Sequence, residues 1–385
     1  MRQDIIKQLD GYDKVLREIE TSRKYSIDVT ADKGEAAAYI RRLHPSKLAL
    51  KINRIIRQTP STKTLRLIPT DQNLPPFQAG QYIALYLEVD GIRTGRPYSI
   101  SSAPNQTGYY DITIRRMQSG LVSNFLLDDV KPGDLIQSSG PNGQFVYNPI
   151  IVNKTLVFIA GGSGITPFMS MIREITDCGL DREVYLFYGN KSSNDIIFHE
   201  ELTDLSGQFD NIHYIPVIEK PDSGYDGLSG FITGDMIRNV IKDINNKTFM
   251  MCGPQALYEF CVTELEKIGV PLRKIRREIY GEPVNIWQAP GWPENVNSDD
   301  VFTVTIKGGG QCSARAGDSL LTSLEKCGLV RPFLCRSGEC SLCRTKVLSG
   351  KVYQPPGSLV RASDRQFGYV HSCVSYPLEN LEIMI

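Results

Sequence analysis

"LVFIAGGSGITPF", residues 156–168, decides how the middle of this chain folds. Five apolar residues make a strand-length run, three glycines follow within four positions, and PFMSMIREI continues at helical spacing. A strand that enters a glycine turn and leaves as a helix opens an α/β unit. Glycine lets the backbone approach a pyrophosphate closely, and the first N–H groups of the helix, with its dipole, attract an anion. Pro167 suits the first helical turn, where a missing N–H costs nothing. The loop is not G-x-G-x-x-G, because its last position is proline. Alone it also fits a plain strand–helix turn.

Working outward, strands and helices alternate from 154 to about 281. EVYLFYGN precedes FHEELTDL, IHYIPVIE follows, and KTFMMCGP leads into QALYEFCVTELEKIG, which Gly269 and Pro271 stop. That alternation predicts a doubly wound parallel sheet over 151–283. Upstream, over 47–150, short strands (LALKINRII, TKTLRLI, QYIALYLEV, RPYSIS, YYDITIRRM) lie between turn clusters such as LPPFQAG and KPGD. They predict a small β-barrel or sandwich; a Greek-key β-barrel is expected, with one helix in SNFLLDDV beginning at Ser123 or Asn124. Downstream, EPVNIWQAPGWPENVNSDD carries three prolines and no sustained periodicity, so 284–300 reads as an ordered linker. A third module, 301–385, opens with the strand VFTVTIKG and the helix SLLTSLEKCG.

The leader, 1–46, places Ile5, Ile6, Leu9, Tyr12, Leu16 and Ile19 at helical spacing and predicts an amphipathic helix over 3–20. Gly11 weakens it by about 1 kcal/mol relative to alanine. A second short helix, EAAAYIRRL, should stop before Pro45. The leader is expected to be a packing arm or a partner-docking helix.

Composition removes several function classes. The 385 residues are 41% hydrophobic and 22% charged, with 43 basic against 43 acidic side chains. A nucleic-acid or polybasic membrane binder shows an excess of Lys and Arg. No apolar run approaches the roughly 18 residues of a membrane span, and charges interrupt the N-terminus, so no signal peptide is read. The expectation is a cytoplasmic protein. Nine cysteines, an odd number, argue there against a disulfide framework and for metal or redox use.

Four of them carry a pattern. Cys335, Cys340 and Cys343 form C-x4-C-x2-C, and Cys373 lies 29 intervening residues on. That is the ligand spacing of a plant-type [2Fe–2S] cluster. A loop holding three thiolates must wrap the inorganic core, and Gly338 permits the tight backbone this needs. A zinc ribbon normally has two C-x2-C pairs, and a redox dithiol leaves Cys335 and Cys373 unexplained. Cys178, Cys252, Cys261, Cys312 and Cys327 read as small core residues, with Cys252 a partial exception. His371 lacks the paired histidine of a Rieske centre.

PFLCRSGECSLCRTKVLSGKV, with SCVSYP and the helix before it, resembles plant-type ferredoxins, which implies a β-grasp fold for 301–385. RPYSIS (96–101), GGSGITPF (161–168) and MMCGP (250–254), in that order, resemble the ferredoxin–NADP reductase superfamily. The resemblance implies that Arg96 pairs with flavin phosphate, Tyr98 packs on the flavin ring, and Ser99 hydrogen-bonds near N5. Ser123 and Asn124 would set a helix N-terminus on the flavin phosphate. Gly161, Gly162, Gly164, Thr166 and Pro167 would hold the dinucleotide, and Cys252, Gly253 and Pro254 would border the nicotinamide. Glu278 and Tyr280 match the acidic–aromatic end of that domain. Ser99, Cys252 and Glu278 form the expected catalytic set. GPNGQF (140–145) looks like the FAD-dependent members, so FAD is expected, with FMN the alternative. Asp195 faces a ribose 2′-hydroxyl in this reading, Lys191 and Ser192 a 2′-phosphate. Without an arginine at that turn the expectation is NADH, with NADPH the alternative.

NADH gives two electrons at once, a [2Fe–2S] cluster takes one, and a flavin converts between them. The module order therefore implies an electron-transfer reductase, passing electrons from NAD(P)H through a flavin to the cluster and on to an unidentified acceptor protein. The four histidines (44, 199, 213, 371) form no terminal oxygenase site. An oxygenase, a hybrid-cluster protein or a metal or corrinoid protein are candidate acceptors. The alternatives are a stand-alone reductase of a small acceptor and a redox-sensing binding protein.

Overall fold

The computed structural model describes residues 11–25, 38, 40, 45–71, 73–148, 150–279, 281–283 and 285–385. The chain divides into two compact units, Met1–Ser46 and Lys47–Ile385. In the first, helix α1 spans Tyr12–Tyr25. It starts after Gly11, whose φ of +85° is left-handed and breaks any helix running through it. It outlasts the predicted end because YDKVLREIETSRKY contains no breaker, and Thr21 Oγ1 donates to the Arg17 carbonyl at 2.7 Å. Positions 3–10 of the expected helix, and most of EAAAYIRRL, lie outside the described residues.

The second unit begins with six antiparallel strands: β1 (Leu48–Thr59), β2 (Thr62–Pro69), β3 (Tyr82–Val89), β4 (Ile92–Ser99), β5 (Tyr110–Arg115) and β6 (Leu135–Ser138), in the order β4-β3-β6-β1-β2-β5. A bridge between Ile100 and Ile112 joins the two edges and closes the barrel. Along β1 the period-two pattern turns Leu48, Leu50 and Ile52 inward, where they meet Leu65, Ile83, Ile112 and Ile136. Helix α2 (Leu121–Asp128) adds Val122, Leu126 and Leu127 to that core. It begins two or three residues before the predicted start. Gly120 forms the N-cap, and Val122 must be helical to share the buried face of Leu126.

Next comes a six-stranded, wholly parallel sheet in the order β10-β9-β8-β7-β11-β12. Its strands are β7 (Thr155–Gly161), β8 (Glu183–Asn190), β9 (Ile212–Ile218), β10 (Leu228–Ser229), β11 (Lys247–Cys252) and β12 (Ile275–Glu278). Helices α3 (Ile165–Asp177), α4 (His199–Gln208), α5 (Gly234–Ile241) and α6 (Gln255–Lys267) cover both faces. That explains why LVFIA is apolar throughout: Leu156, Phe158 and Ala160 enter one core, Val157 and Ile159 the other. Strand order reverses between β7 and β11, so a crevice opens beyond their carboxyl ends.

The last module pairs β13 (Val301–Ile306), β14 (Gln311–Arg315), β15 (Arg344–Ser349), β17 (Tyr369–His371) and β19 (Leu381–Met384) in the order β14-β13-β19-β15-β17. Only β13 and β19 run parallel. The pair β16 (Val352–Tyr353) and β18 (Tyr376–Pro377) lies apart, and helices α7 (Leu320–Lys326) and α8 (Ala362–Gln366) complete this β-grasp. In the preceding segment Ile286 is buried with Tyr353 and Tyr376, and Trp292 stands edge-on to Tyr353 at 5.2 Å. No helix among the described residues is long and apolar enough to cross a membrane.

Candidate functional site

The switch-point crevice is built by backbone contact. At Gly164 an added Cβ would lie 2.0 Å from the Cys252 carbonyl oxygen, and at Gly253 one would lie 3.2 Å from Gly161 Cα. The glycine turn and the Cys-Gly-Pro turn therefore touch chain to chain, and no side chain fits between them. Gly162 has a φ of +52°, which glycine adopts without strain. Thr166 donates its hydroxyl to the Ser163 carbonyl at 2.8 Å and tightens the loop. Helix α3 starts at an N-cap, Gly164, that offers no capping side chain. The Ile165 amide is taken by the Gly162 and Ser163 carbonyls, so any N–H groups left for an anion belong to later residues of the first turn. Pro167 lies in that first turn.

Cys252 ends β11 fully buried, in register with Glu278 at the end of β12. Burial above all, and then Glu339 and Cys335, push the Glu278 carboxyl up to about 8, against the pull of Arg276. Tyr258 ties this corner together: its hydroxyl accepts from the Gly253 amide at 2.9 Å and donates to the Glu278 carbonyl. The reading of motifs had missed Tyr258, although it stands only four residues after Pro254. Tyr280 lies outside the described residues.

In the barrel, β3 and β4 pair Tyr82 with Ser99 and Ala84 with Pro97. Ser99 is buried, while Arg96 and Tyr98 are half-buried. Arg96 Nη1 donates to Thr94 Oγ1 at 2.9 Å and to the Gly95 carbonyl at 2.8 Å. Among the described residues it makes no salt bridge, so its charge suits an anionic group. Ser123 does not cap α2. Its Oγ leans back on the Gly120 carbonyl at 3.5 Å, with Asn124 beside it, and the N-terminus of α2 stays uncapped by side chains. Asp195, expected at a ribose, is instead committed across modules. It pairs with Arg115 and accepts from Ser61 Oγ at 2.8 Å, while Arg115 Nη1 comes within 2.5 Å of where a Gly162 Cβ would stand.

The four motif cysteines form two pairs. Cys343 Sγ lies 3.3 Å from Cys373 Sγ, and Cys335 shares a hydrogen bond with Cys340. No three His, Cys, Asp or Glu side chains among the described residues converge as a single-ion site. Cys335, Cys340, Cys343 and Cys373 would hold a [2Fe–2S] cluster, which takes four cysteine thiolates. The loop around them is left-handed at Arg336 (φ +53°), Gly338 (+82°) and Ser341 (+60°). It aims the amides of Ser337, Glu339 and Cys340 at Cys335 Sγ, at 3.4, 3.4 and 3.3 Å. The Cys340 hydrogen bond, with the Ser337 and Cys340 amides, holds the Cys335 thiol well below its ordinary value, although burial opposes them. A thiolate stabilised in this way fits an anionic iron–sulfur cluster. His371 is buried, its Nδ1 2.6 Å from the Gly338 carbonyl, and braces the same loop.

Comparison with known proteins agrees with this layout. The oxidoreductase FAD-binding domain family matches residues 48–147, the oxidoreductase NAD-binding domain family 158–263, and the 2Fe-2S iron-sulfur cluster binding domain family 304–378. The chain belongs to the ferredoxin–NADP reductase family. It is a member that carries a C-terminal [2Fe–2S] ferredoxin domain, and it is an NAD(P)H-dependent flavin and iron–sulfur oxidoreductase that uses FAD and NADH. Among its relatives is the glycine betaine monooxygenase reductase subunit of Pseudomonas aeruginosa, 28% identical over 84% of this chain and 91% of that one. Another is the NADH oxidoreductase HCR of Escherichia coli, 29% identical over 86% and 96%. The solved structure of a phthalate dioxygenase reductase shares the fold, with a TM-score of 0.65 at 24% identity over 88% of this chain and 98% of that one.

Proposed function

We propose that this reductase delivers single electrons to a separate acceptor protein of an oxygenase system, through the residues that converge where its three modules meet. One observation carries this reading. Ala84, opposite Pro97 of the RPYS strand, shares a buried apolar cluster with Cys343, Cys373, Phe333 and Val374. The strand paired with the flavin strand and one thiol pair thus share one dry contact. Glu278, at the end of the nucleotide sheet, lies close enough to Cys335 and Glu339 to feel their charge.

A bound flavin supplies the change from paired to single electrons. The protein's part is placement. Arg96 and the uncapped N-terminus of α2 hold the flavin's phosphate end. Tyr98 would offer its ring to the flat flavin ring system, and Ser99 would supply a hydroxyl hydrogen bond to it. The turns at Gly161–Gly164 and Cys252–Pro254 would hold the nicotinamide dinucleotide. Glu278, kept largely protonated near neutral pH by burial, holds a proton at its carboxyl beside Cys252. Cys335, Cys340, Cys343 and Cys373 hold the cluster, and the apolar Ala84 contact excludes water from the path. The relatives named for a glycine betaine monooxygenase and a 3-ketosteroid-9-alpha-monooxygenase support an oxygenase component as the acceptor.

The test is an anaerobic titration with substoichiometric NADH, with iron counted, followed by mixing with a purified terminal oxygenase component. Flavin bleaching, cluster reduction at two irons per chain, and then reduction of the oxygenase are expected. Rapid turnover of ferric chelates with no reduction of any protein acceptor would instead make the chain a stand-alone reductase.

A further inference from the structure

Arg336 follows the first cluster cysteine and is the largest fully buried side chain among the described residues. A left-handed backbone is uncommon for a residue with a Cβ; here it turns the side chain inward, away from the cluster loop. Nη1 donates to Glu282 Oε1 at 2.5 Å, and Nη2 to Glu325 and to Thr94 Oγ1, the latter at 3.1 Å. The Phe333 ring lies 4.4 Å from its guanidinium carbon.

These partners come from three different parts of the molecule. Glu282 belongs to the segment leaving the nucleotide module, Glu325 to α7 of the ferredoxin module, and Thr94 to the flavin strand, two residues before Arg96. The Thr94 hydroxyl accepts from both Arg96 and Arg336 and donates to Glu325 Oε2 at 2.9 Å. That is its full capacity of one donor and two acceptors. Both carboxylates pair with the Arg336 guanidinium. A planar fork reaches two carboxylates and a hydroxyl at once, which a lysine ammonium on a flexible stem does not hold in one geometry. Packing around the group is equally close: Phe333 stands 5.6 Å from Tyr86, and a Cβ at Gly95 would come within 2.8 Å of the Phe333 ring.

We propose that Arg336 is a positioning residue that fastens the ferredoxin module to the flavin strand, so that electrons cross to the cluster at one fixed separation and the acceptor must come to the module. This rests on the electron path proposed above. A module that swung out to its acceptor would have to expose this buried guanidinium and both carboxylates at every turnover, and the close packing around Phe333 would have to part.

The experiment uses Arg336→Lys and Glu325→Gln in the full chain with flavin and cluster loaded. Stopped-flow spectroscopy separates flavin reduction by NADH from electron transfer to the cluster, and hydrogen exchange reports on residues 92–99 and 320–326. Flavin reduction should stay within about twofold of wild type, while transfer to the cluster slows by about tenfold and becomes dependent on solvent viscosity. Exchange in both segments should quicken by about tenfold as the junction opens. Unchanged, viscosity-independent transfer despite faster exchange would overturn the proposal, and so would unchanged exchange. Glu325→Gln, which keeps the shape of the side chain, carries the test if Arg336→Lys does not accumulate. A wild-type chain whose flavin is reduced but whose cluster never is would defeat the electron path itself and the fastening with it.

Discussion

The flavin barrel meets its two neighbours differently. Toward the nucleotide sheet a buried apolar contact, Phe145 on Phe168 at 5.7 Å, is flanked by polar contacts that reach solvent: Arg115 and Asp195 pair with a quarter and a fifth of their side chains exposed. Around them Arg173 donates to the Ser101 carbonyl at 2.7 Å and Arg276 to the Val146 carbonyl at 2.9 Å. Toward the ferredoxin module the contact is dry, with Arg336 wholly buried and Glu325 nearly so. The difference matches what each junction handles. A dinucleotide must enter and leave on every turnover, and the rim of its junction carries contacts that water can replace. An electron leaves no space behind it, and its junction can be closed for good.

The largest effect expected lies on the closed side. Cys340→Ser should abolish reduction of one-electron protein acceptors while NADH still reduces the flavin, as read from flavin bleaching and the loss of the cluster's electron paramagnetic signal. Loss of flavin reduction as well would mean that the dry junction folds only around its cluster, and the contrast between the two contacts would then be one of assembly rather than of traffic.

On the open side the largest effect belongs to the glycine turn. Gly164→Ala forces a methyl group to within 2.0 Å of the Cys252 carbonyl, and overpacking of this kind costs about 1–3 kcal/mol. The Tm should fall and the KM for NADH should rise, while transfer from reduced flavin to cluster stays as it was. A variant with normal KM would show that the two turns adjust to each other more freely than their contact indicates.

How much of this was legible in the sequence follows from distance along the chain. The motif turns were legible because they are local: GGSG, CGP and the cysteine spacing each complete their chemistry within a dozen residues, apart from Cys373. The strands of the barrel and the parallel sheet were legible through their burial pattern, alternating in β1 and continuous in LVFIA. Arg336 was not. Its partner Thr94 is 242 residues away, and the residue stands inside a motif that appeared to account for it. Asp195 was misread for the same reason, because Arg115, 80 residues upstream, claims its carboxylate. The start of α2 was missed more simply. Gly120 carries no capping side chain, so Ser123 looked like the better cap.

A smaller effect is expected at the N-cap of α7, the helix that presses on the flavin strand. Ser319 accepts from the Thr322 amide at 3.1 Å, and loss of such a cap costs about 1 kcal/mol. Ser319→Ala should lower the Tm modestly and leave NADH binding untouched. Ser319 also bonds Glu282, the carboxylate that Arg336 holds, so a slowing of electron transfer as large as that of Arg336→Lys would trace the junction to Glu282 rather than to the guanidinium alone.

The smallest effect should come from Asp195→Asn. Burial raises the Asp195 carboxyl, but hydrogen bonds from Thr59 and Ser61, together with the Arg115 charge, outweigh it and hold the group below the ordinary carboxylate range. A carboxylate depressed on folding stabilises the native state in full above its unfolded value of about 3.9, and that contribution is lost as pH falls through the lower folded value. A partly exposed pair of this kind contributes about 1 kcal/mol or less. Wild type should therefore exceed Asp195→Asn slightly in stability at neutral pH, with the gap shrinking once pH falls below about 4 and closing only below the lower folded value. Urea midpoints measured at both ends of that range check it. A gap that persisted in acid would mean that the carboxylate matters for the shape of its hydrogen bonds to Ser61 rather than for its charge, and the open junction would then be held more rigidly than its exposure implies.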